Sequence, residues 1–69
     1  MSNGEYLIAL GKKIRSARLA KKLTLDKVAS QCGLNLNTLA FIEKGQQNPH
    51  ILTLKGIADV LKMDVKEFL

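Results

Sequence analysis

Apolar residues recur along most of the chain at intervals of three and four, which is the spacing of one face of an α-helix. This spacing predicts five short helices, over residues 5–21, 25–32, 36–44, 51–62 and 65–69. The inward positions of the first helix are Leu7, Leu10, Ile14 and Ala17. Those of the next three helices are Val28, Ala29, Leu39, Ile42, Ile51, Leu54, Ile57, Ala58 and Leu61. Because no segment alternates as a strand does, the pattern predicts an all-α fold, a compact bundle of five helices.

Residues at the predicted helix boundaries agree with this assignment. Thr24 and Asn35 precede the second and third helices, where a side-chain oxygen caps free N–H groups. Gly33 and Gly45 follow the same two helices, where a residue with positive φ ends a helix at no steric cost. Asp64, with a glutamate three positions later, predicts a capping box at the start of the last turn.

The second and third helices are short and are joined by a turn that contains Gly33, which is typical of a helix-turn-helix motif. A third helix of nine residues is about 13 Å long at 1.5 Å per residue. That length suits a DNA major groove about 12 Å wide. The pattern therefore indicates a third helix that lies in a major groove.

The side of the third helix that faces away from Leu39 and Ile42 carries Asn37, Ala40, Phe41 and Lys44. An asparagine pairs with two adenine atoms, alanine and phenylalanine contact a thymine methyl group, and a lysine binds a phosphate. The alternative is the solvated side of a surface helix, but an exposed phenylalanine at its centre is unusual there. Phe41 is also a candidate for contact with a protein.

Composition and length exclude several classes of protein. With 69 residues the chain is expected to be a single domain, residues 1–69, without room for a ligand-sensing domain. Its one cysteine and one histidine provide neither an internal disulfide nor a zinc site. No membrane-spanning run, secretory signal, phosphate-binding glycine loop or pair of nucleophile and base is present. We therefore expect a cytoplasmic protein that is not an enzyme and needs no metal, cofactor, membrane or small-molecule ligand.

The positive charge is concentrated in one part of the chain. The net charge is +5, and residues 12–27 hold seven basic residues against one acid, whereas residues 28–69 hold four of each. The excess therefore lies on the first helix and the turn after it. Two interpretations stay open, a solvated helix surface or contact with phosphates at the edge of a DNA site. Both predict attraction of DNA that weakens with salt.

Residues 11–69, from GKKIRSARLA to DVKEFL, resemble the lambda-repressor/Cro-type (XRE-like) helix-turn-helix family. The shared positions are Ile14, Arg18, Ala29, Gly33, Ile42-Glu43-Lys44-Gly45, Asn48-Pro49, Leu54, Ile57-Ala58 and Leu61. The resemblance implies a lambda repressor-like domain of four or five helices. In that family the second helix crosses the DNA backbone, the third lies in the major groove, and a dimer usually binds a palindromic operator.

The resemblance also implies roles for individual residues. Leu36, Asn37 and Phe41 fall on the base-contacting positions, to which the helix geometry adds Ala40. The expected phosphate contacts are Thr24, Leu25, Thr38, Lys44, Gln46, Gln47 and Asn48. Arg18 and Glu43 match a family pair that connects the first helix to the third. Leu25, Leu36 and Phe41 depart from the family, which often has polar residues there.

Several smaller features have two interpretations. Val65, Phe68 and Leu69, with Ile8 and Leu19, are candidate dimer contacts, although Phe68 and Leu69 equally suit closure of the monomer core. His50 suits a surface loop better than a phosphate contact. Cys32 suits a small buried apolar residue better than a nucleophile.

The sequence therefore predicts a sequence-specific transcriptional regulator that binds double-stranded DNA as a homodimer. In size the chain resembles phage Cro-like regulators and restriction–modification controller proteins, which are controlled by concentration and dimerisation. The alternative is an interaction module of the same fold, an antitoxin or anti-repressor, whose apolar Leu36 and Phe41 contact a protein.

Overall fold

Four α-helices and one short 3₁₀ turn account for most of residues 2–69, the part of the chain that the computed structural model describes. The helices are α1 (Asn3–Ala20), α2 (Leu25–Cys32), α3 (Leu36–Glu43) and α4 (Ile51–Leu61). They are followed by a C-terminal turn, Val65–Phe68. The described residues contain no strand, so the all-α prediction is confirmed.

The predicted fifth helix, residues 65–69, is wrong in type. Its backbone hydrogen bonds join residues three apart, from the Glu67 N–H to the Asp64 carbonyl at 3.0 Å and from the Leu69 N–H to the Lys66 carbonyl at 3.1 Å. Bonds of this span define a 3₁₀ helix rather than an α-helix. The predicted capping box is present, with Asp64 and Glu67 each accepting a hydrogen bond from the other end of the turn.

The predicted N-caps of α2 and α3 are confirmed. The Thr24 hydroxyl accepts a hydrogen bond from the Lys27 N–H at 3.1 Å, and the Asn35 side-chain oxygen accepts one from the Asn37 N–H at 2.8 Å. Helix α1 begins two residues earlier than predicted because Ser2 caps it. Local capping chemistry therefore fixes where three of the helices begin.

Residues that follow the helices adopt positive φ, whether or not they are glycine. Gly33 (φ 72°) and Gly45 (φ 75°) adopt the left-handed conformation that the sequence predicts for them. Lys22 (φ 58°) and Lys62 (φ 57°) adopt it as well, after α1 and α4. A lysine gives no signal for this conformation, which is unfavourable for residues with a Cβ atom.

The core is aliphatic apart from one aromatic ring. Its buried apolar residues are Leu10, Ile14, Val28, Ala29, Leu39, Ile42, Leu54, Ile57, Ala58, Leu61 and Phe68. The inward positions predicted for α2 and α3 are all among them. Ile51 is an exception, because it is the first residue of α4 and its side chain is 55% exposed. Leu7 and Ala17 are half-buried, and of the two only Ala17 packs against the core.

Two contacts set the position of α1. A Cβ atom at Gly11 would meet the Ile42 carbonyl oxygen at 2.6 Å and the Glu43 carbonyl oxygen more closely still, so α1 and the end of α3 approach each other backbone to backbone. On the other flank of α1, the Tyr6 hydroxyl donates to the Phe68 carbonyl at 2.9 Å. Helix α1 therefore holds α3 on one side and the C-terminal turn on the other.

Candidate nucleic-acid interface

Helices α2 and α3 are consecutive short helices joined by the turn Gly33-Leu34-Asn35. The Leu34 N–H returns to the Ala29 carbonyl at 2.9 Å, which together with the positive φ of Gly33 closes the end of α2. Leu39 and Ile42 are 0% and 1% exposed and pack the inner side of α3 into the core. The short turn and this buried side fix the orientation of α3 relative to α2.

The outer face of α3, defined by Leu36, Asn37, Ala40 and Phe41, is turned away from the core. Leu36 is 42% and Phe41 is 45% exposed, Asn37 is exposed and Ala40 is half-buried. Two large apolar side chains of one short helix are therefore partly exposed to water. The outer face is therefore the part of α3 that is free for a partner.

An ion pair fixes the end of α3 against α1. Arg18 Nε lies 2.8 Å from Glu43 Oε2, and Arg18 Nη2 lies 3.0 Å from Glu43 Oε1. Arg18 Nη1 also donates to the Leu23 carbonyl at 2.9 Å. The hydrogen bonds with Glu43 raise the pKa of the Arg18 guanidinium against the opposing effect of burial. The pair is nearly buried, with side-chain exposures of 11% and 6%, so it positions α3 rather than contacting a ligand.

A shallow groove of about 250 Å³ lies where α1, α2 and α3 meet. Its lining residues are Arg15, Leu25, Ala40, Glu43 and Lys44. Three of the residues predicted to contact DNA, Leu25, Ala40 and Lys44, therefore share one surface. Ala40 and Lys44 also connect this groove to the outer face of α3.

The sequence includes Arg15 among the seven basic residues of 12–27, for which phosphate contact stays open, but it does not single out Arg15 or Gly11 as part of this surface. Arg15 follows Gly11 by four residues, so both lie towards the same side of α1, the side that faces α3. The spacing alone gives this relationship, but it does not say which helix packs there. Only the close approach of α1 to α3 places Arg15 beside the groove.

The other residues expected to contact phosphates belong to α2 and its cap, to α3, and to the loop after α3. Thr24 uses its hydroxyl oxygen as the N-cap of α2, and the Leu25 side chain is half-buried against the core. Gln46, Gln47 and Asn48 are exposed in the loop after α3, and Thr38 is half-buried. The Gln46 N–H is bonded to the Phe41 carbonyl at 2.9 Å, which fixes how the loop leaves α3.

The basic charge of α1 is divided between two sides of the helix. Lys12 and Lys13 line a second shallow depression of about 420 Å³, with Ser16, Met63 and Glu67. Lys13 Nζ lies 3.4 Å from the Glu67 carbonyl oxygen. These lysines therefore lie beside the C-terminal turn, whereas Arg15 lies beside α3.

The candidate dimer contacts differ in how far they are buried. Phe68 is 1% exposed and belongs to the monomer core, which is one of the two interpretations that the sequence leaves open for it. Leu69 is 66% exposed and does not close the core, while Val65 is half-buried. The backbone of Ile8 packs against Gly45, beside the end of α3.

The remaining singled-out residues agree with the simpler interpretations. His50 is exposed at the N-cap position of α4 and makes no side-chain capping bond. Cys32 is half-buried against the core, and burial raises the pKa of its thiol. Within residues 2–69, no helix is long and apolar enough to cross a membrane, and no cluster of metal-ligating side chains occurs.

Two short helices joined by a tight turn, with the second exposing its outer face, define a helix-turn-helix domain. The chain belongs to the helix-turn-helix family HTH_3, whose sequence model matches residues 14–68. This is a family of DNA-binding transcriptional regulators of the Cro/C1 type, not a family of enzymes.

Similar proteins include repressors and controller proteins. The immunity repressor protein of Bacillus phage phi105 is 33% identical over 58 residues, which are 84% of this chain and 40% of that protein. This chain therefore spans about two fifths of that repressor. The restriction–modification controller protein C.AhdI from Aeromonas hydrophila is similar in structure, with a TM-score of 0.88, 27% identity and coverage of 91% of this chain and 96% of C.AhdI.

A third similar structure comes from a protein–protein complex. A chain of the SinR–SinI protein complex matches with a TM-score of 0.83 and 31% identity, over 87% of this chain and 59% of that one. The fold is thus shared with a protein that was solved together with a protein partner.

Proposed function

We propose that this chain is a sequence-specific transcriptional regulator that acts in the cytoplasm as a homodimer on a palindromic DNA operator. Residues 1–69 act as a single helix-turn-helix domain with α3 in the major groove. The observation that carries the proposal is the outer face of α3, which is exposed while the opposite side of the helix is buried. Its orientation is held by the Arg18–Glu43 ion pair and by the close approach at Gly11.

Base selection in this proposal depends on four side chains. Asn37 pairs with an adenine through its amide, which both donates and accepts hydrogen bonds. Leu36, Ala40 and Phe41 contact thymine methyl groups, so the preferred half-site is rich in A·T pairs. Leu36 and Phe41 are apolar where the family often has polar residues. In this proposal they change which DNA sequence is selected and do not prevent DNA binding.

Phosphate contacts fix the register of the domain on DNA without selecting a sequence. In this proposal they come from the start of α2 (Thr24 and the backbone of Leu25), from Thr38 and Lys44, and from the loop residues Gln46, Gln47 and Asn48. Membership of the helix-turn-helix family supports a role of the two helices in DNA binding.

Selection of binding sites from a pool of random DNA duplexes at physiological salt tests the proposal. We expect a two-fold symmetric consensus with half-sites about one helical turn apart. An asymmetric consensus would contradict the homodimer while keeping sequence-specific binding. The absence of any enrichment would contradict the proposed function.

The homodimer is proposed to form through Leu69 and Val65 of the C-terminal turn. Because Phe68 closes the core, removing this turn would unfold the monomer, and a substitution at Leu69 is the better test. Leu69→Lys is expected to shift the dimer to monomer in sedimentation, whereas Leu52→Lys, at a residue 77% exposed on α4, is expected to leave the dimer intact. The reverse result would move the dimer surface to α4.

The second candidate function is binding of a protein by the apolar side chains of Leu36 and Phe41. The exposure of both residues favours this function. The SinR–SinI complex also contains a chain of similar fold that was solved with a protein partner. A salt series separates the two functions, because affinity for phosphates falls steeply with salt and affinity at an apolar surface does not. Phe41→Ala should weaken binding to half-sites that contain thymine; unchanged DNA binding would favour the protein partner.

A further inference from the structure

The groove between α1, α2 and α3 is positively charged, although the charged residues that line it come from different parts of the sequence. Its lining includes two cations, Arg15 and Lys44, and one carboxylate, Glu43. Both oxygens of Glu43 are already bonded to Arg18, at 2.8 and 3.0 Å. The three cations and one carboxylate of this cluster therefore have a net charge of +2, and the carboxylate is not free to neutralise Arg15.

Neither the Arg15 nor the Lys44 side chain forms an ion pair or a hydrogen bond within the described residues. The ion pairs there are Arg18–Glu43 and Lys55–Asp59, and no side-chain hydrogen bond involves Arg15 or Lys44. Both residues are exposed, so their charges face solvent. The other side chains of the groove, Leu25 and Ala40, are apolar and do not compete for a ligand. This pattern suits an anion that enters from solvent.

The groove also lies beside the surface that is proposed to contact bases. Ala40 belongs both to the outer face of α3 and to the groove, and Lys44 follows the last residue of α3. A duplex seated on the outer face would therefore bring its backbone to the groove. The volume of about 250 Å³ accommodates a phosphate group with several waters, at roughly 30 Å³ per water.

We propose that Arg15 of α1 and Lys44 after α3 together bind one phosphate of the DNA backbone in this groove. Arg15 donates to phosphate oxygens through its planar guanidinium, which suits bidentate contact, and Lys44 adds a point charge from the end of α3. The paired Arg18 and Glu43 lie behind them and keep the two walls at a fixed separation. The inference rests on the proposed DNA-binding function and adds to it a phosphate contact from α1.

A salt series on three variants tests the inference. Each phosphate contact contributes about 0.9 to the slope of log affinity against log salt. Arg15→Gln should lower this slope by about 0.9, so that affinity falls about 3.5-fold less than for the unchanged protein between 50 and 200 mM salt. The loss of affinity should be equal on selected and random duplexes, because a phosphate carries no sequence information. Arg15→Lys keeps the charge and should keep the slope.

Lys13→Gln is the matched control, because it removes the same charge two residues away on the other side of α1. If long-range attraction alone mattered, Arg15→Gln and Lys13→Gln would have equal slopes, and the proposed contact would be wrong. A thermal melt of each variant confirms that the fold is intact before binding is compared. If the unchanged protein binds no duplex at all, the proposed function fails, which is a different result from equal slopes in a protein that binds its selected site.

Discussion

Arg18 in α1 and Glu43 at the end of α3 form a two-bond ion pair, with Nε–Oε2 at 2.8 Å and Nη2–Oε1 at 3.0 Å. The pair connects residues 25 positions apart. In the described part of the chain, every buried side-chain polar atom has a hydrogen-bond partner. The helix proposed to contact bases is therefore fixed to α1 at the end away from its N-cap. Rigid support of this kind is what a base-contacting side chain needs.

Glu43→Ala is expected to lower the free energy of unfolding by about 3–5 kcal/mol, because it leaves the Arg18 charge buried without its partner. Urea unfolding followed by circular dichroism measures the change. The exposed pair Lys55–Asp59, at 3.4 Å, provides the control, and Asp59→Ala should cost less than about 0.5 kcal/mol. Equal costs for the two variants would show that the buried pair does not hold the helices together.

Gly11→Ala should destabilise the fold although alanine is the better helix former. The new Cβ atom would lie 2.6 Å from the Ile42 carbonyl oxygen, so α1 and α3 must separate, at a cost of about 1–3 kcal/mol. Gly56→Ala is the matched control in α4, where an added Cβ meets nothing within 4 Å. There the change should raise stability by about 1 kcal/mol. Thermal unfolding of both variants should give shifts of opposite sign, and shifts of the same sign would contradict the close approach.

His50→Ser should stabilise the fold. His50 occupies the N-cap position of α4 without a side-chain capping bond, whereas a serine hydroxyl would accept a bond from a free N–H of the first turn. The expected gain is about 0.5–1 kcal/mol in urea unfolding. Thr24→Ala, which removes the capping bond observed at α2, should lose a similar amount. No gain at His50 combined with a loss at Thr24 would mean that the first turn of α4 is already satisfied by water.

The elements that the sequence predicted well depend on local chemistry. Thr24, Asn35 and Gly33 fix the ends of α2 and α3 through bonds and backbone conformations within a few residues. Leu39 and Ile42 were placed correctly because a 3.6-residue period relates the positions of one helix directly. Such relationships need no knowledge of which helices pack together.

The features that escaped prediction depend on tertiary packing. The periodicity assigned Ile51 to the core, but no helix packs over the first residue of α4, and the side chain is 55% exposed. The same limitation hid the groove at Arg15, because a sequence pattern does not show that α3 lies against that side of α1. The sequence leaves Phe68 open between core and dimer because its neighbour across the fold, Tyr6, lies at the other end of the chain.

Cys32 should make stability depend on pH in the alkaline range. Burial raises the pKa of its thiol, so the folded chain keeps the proton to higher pH than the unfolded chain. The contribution is fully present below the ordinary thiol pKa of 9.0 and is lost as pH rises through the higher folded value. Unfolding midpoints from pH 7 upward should fall more steeply for the unchanged protein than for Cys32→Ala. Parallel curves would show that the thiol ionises equally in both states.

Asn37→Ala distinguishes a base-contacting side chain from an exposed one that contributes only to general affinity. Asn37 is exposed, and its backbone N–H is already bonded to the Asn35 cap, so the change should leave the stability of α3 almost unaffected. Loss of a two-bond contact with adenine should cost about 1–3 kcal/mol on the selected site and nothing on random duplexes. Site selection with the variant should show relaxed preference at one base pair in each half-site. An equal loss on both kinds of duplex would instead assign Asn37 to the phosphate backbone, and an unchanged consensus would remove it from the base-contacting set.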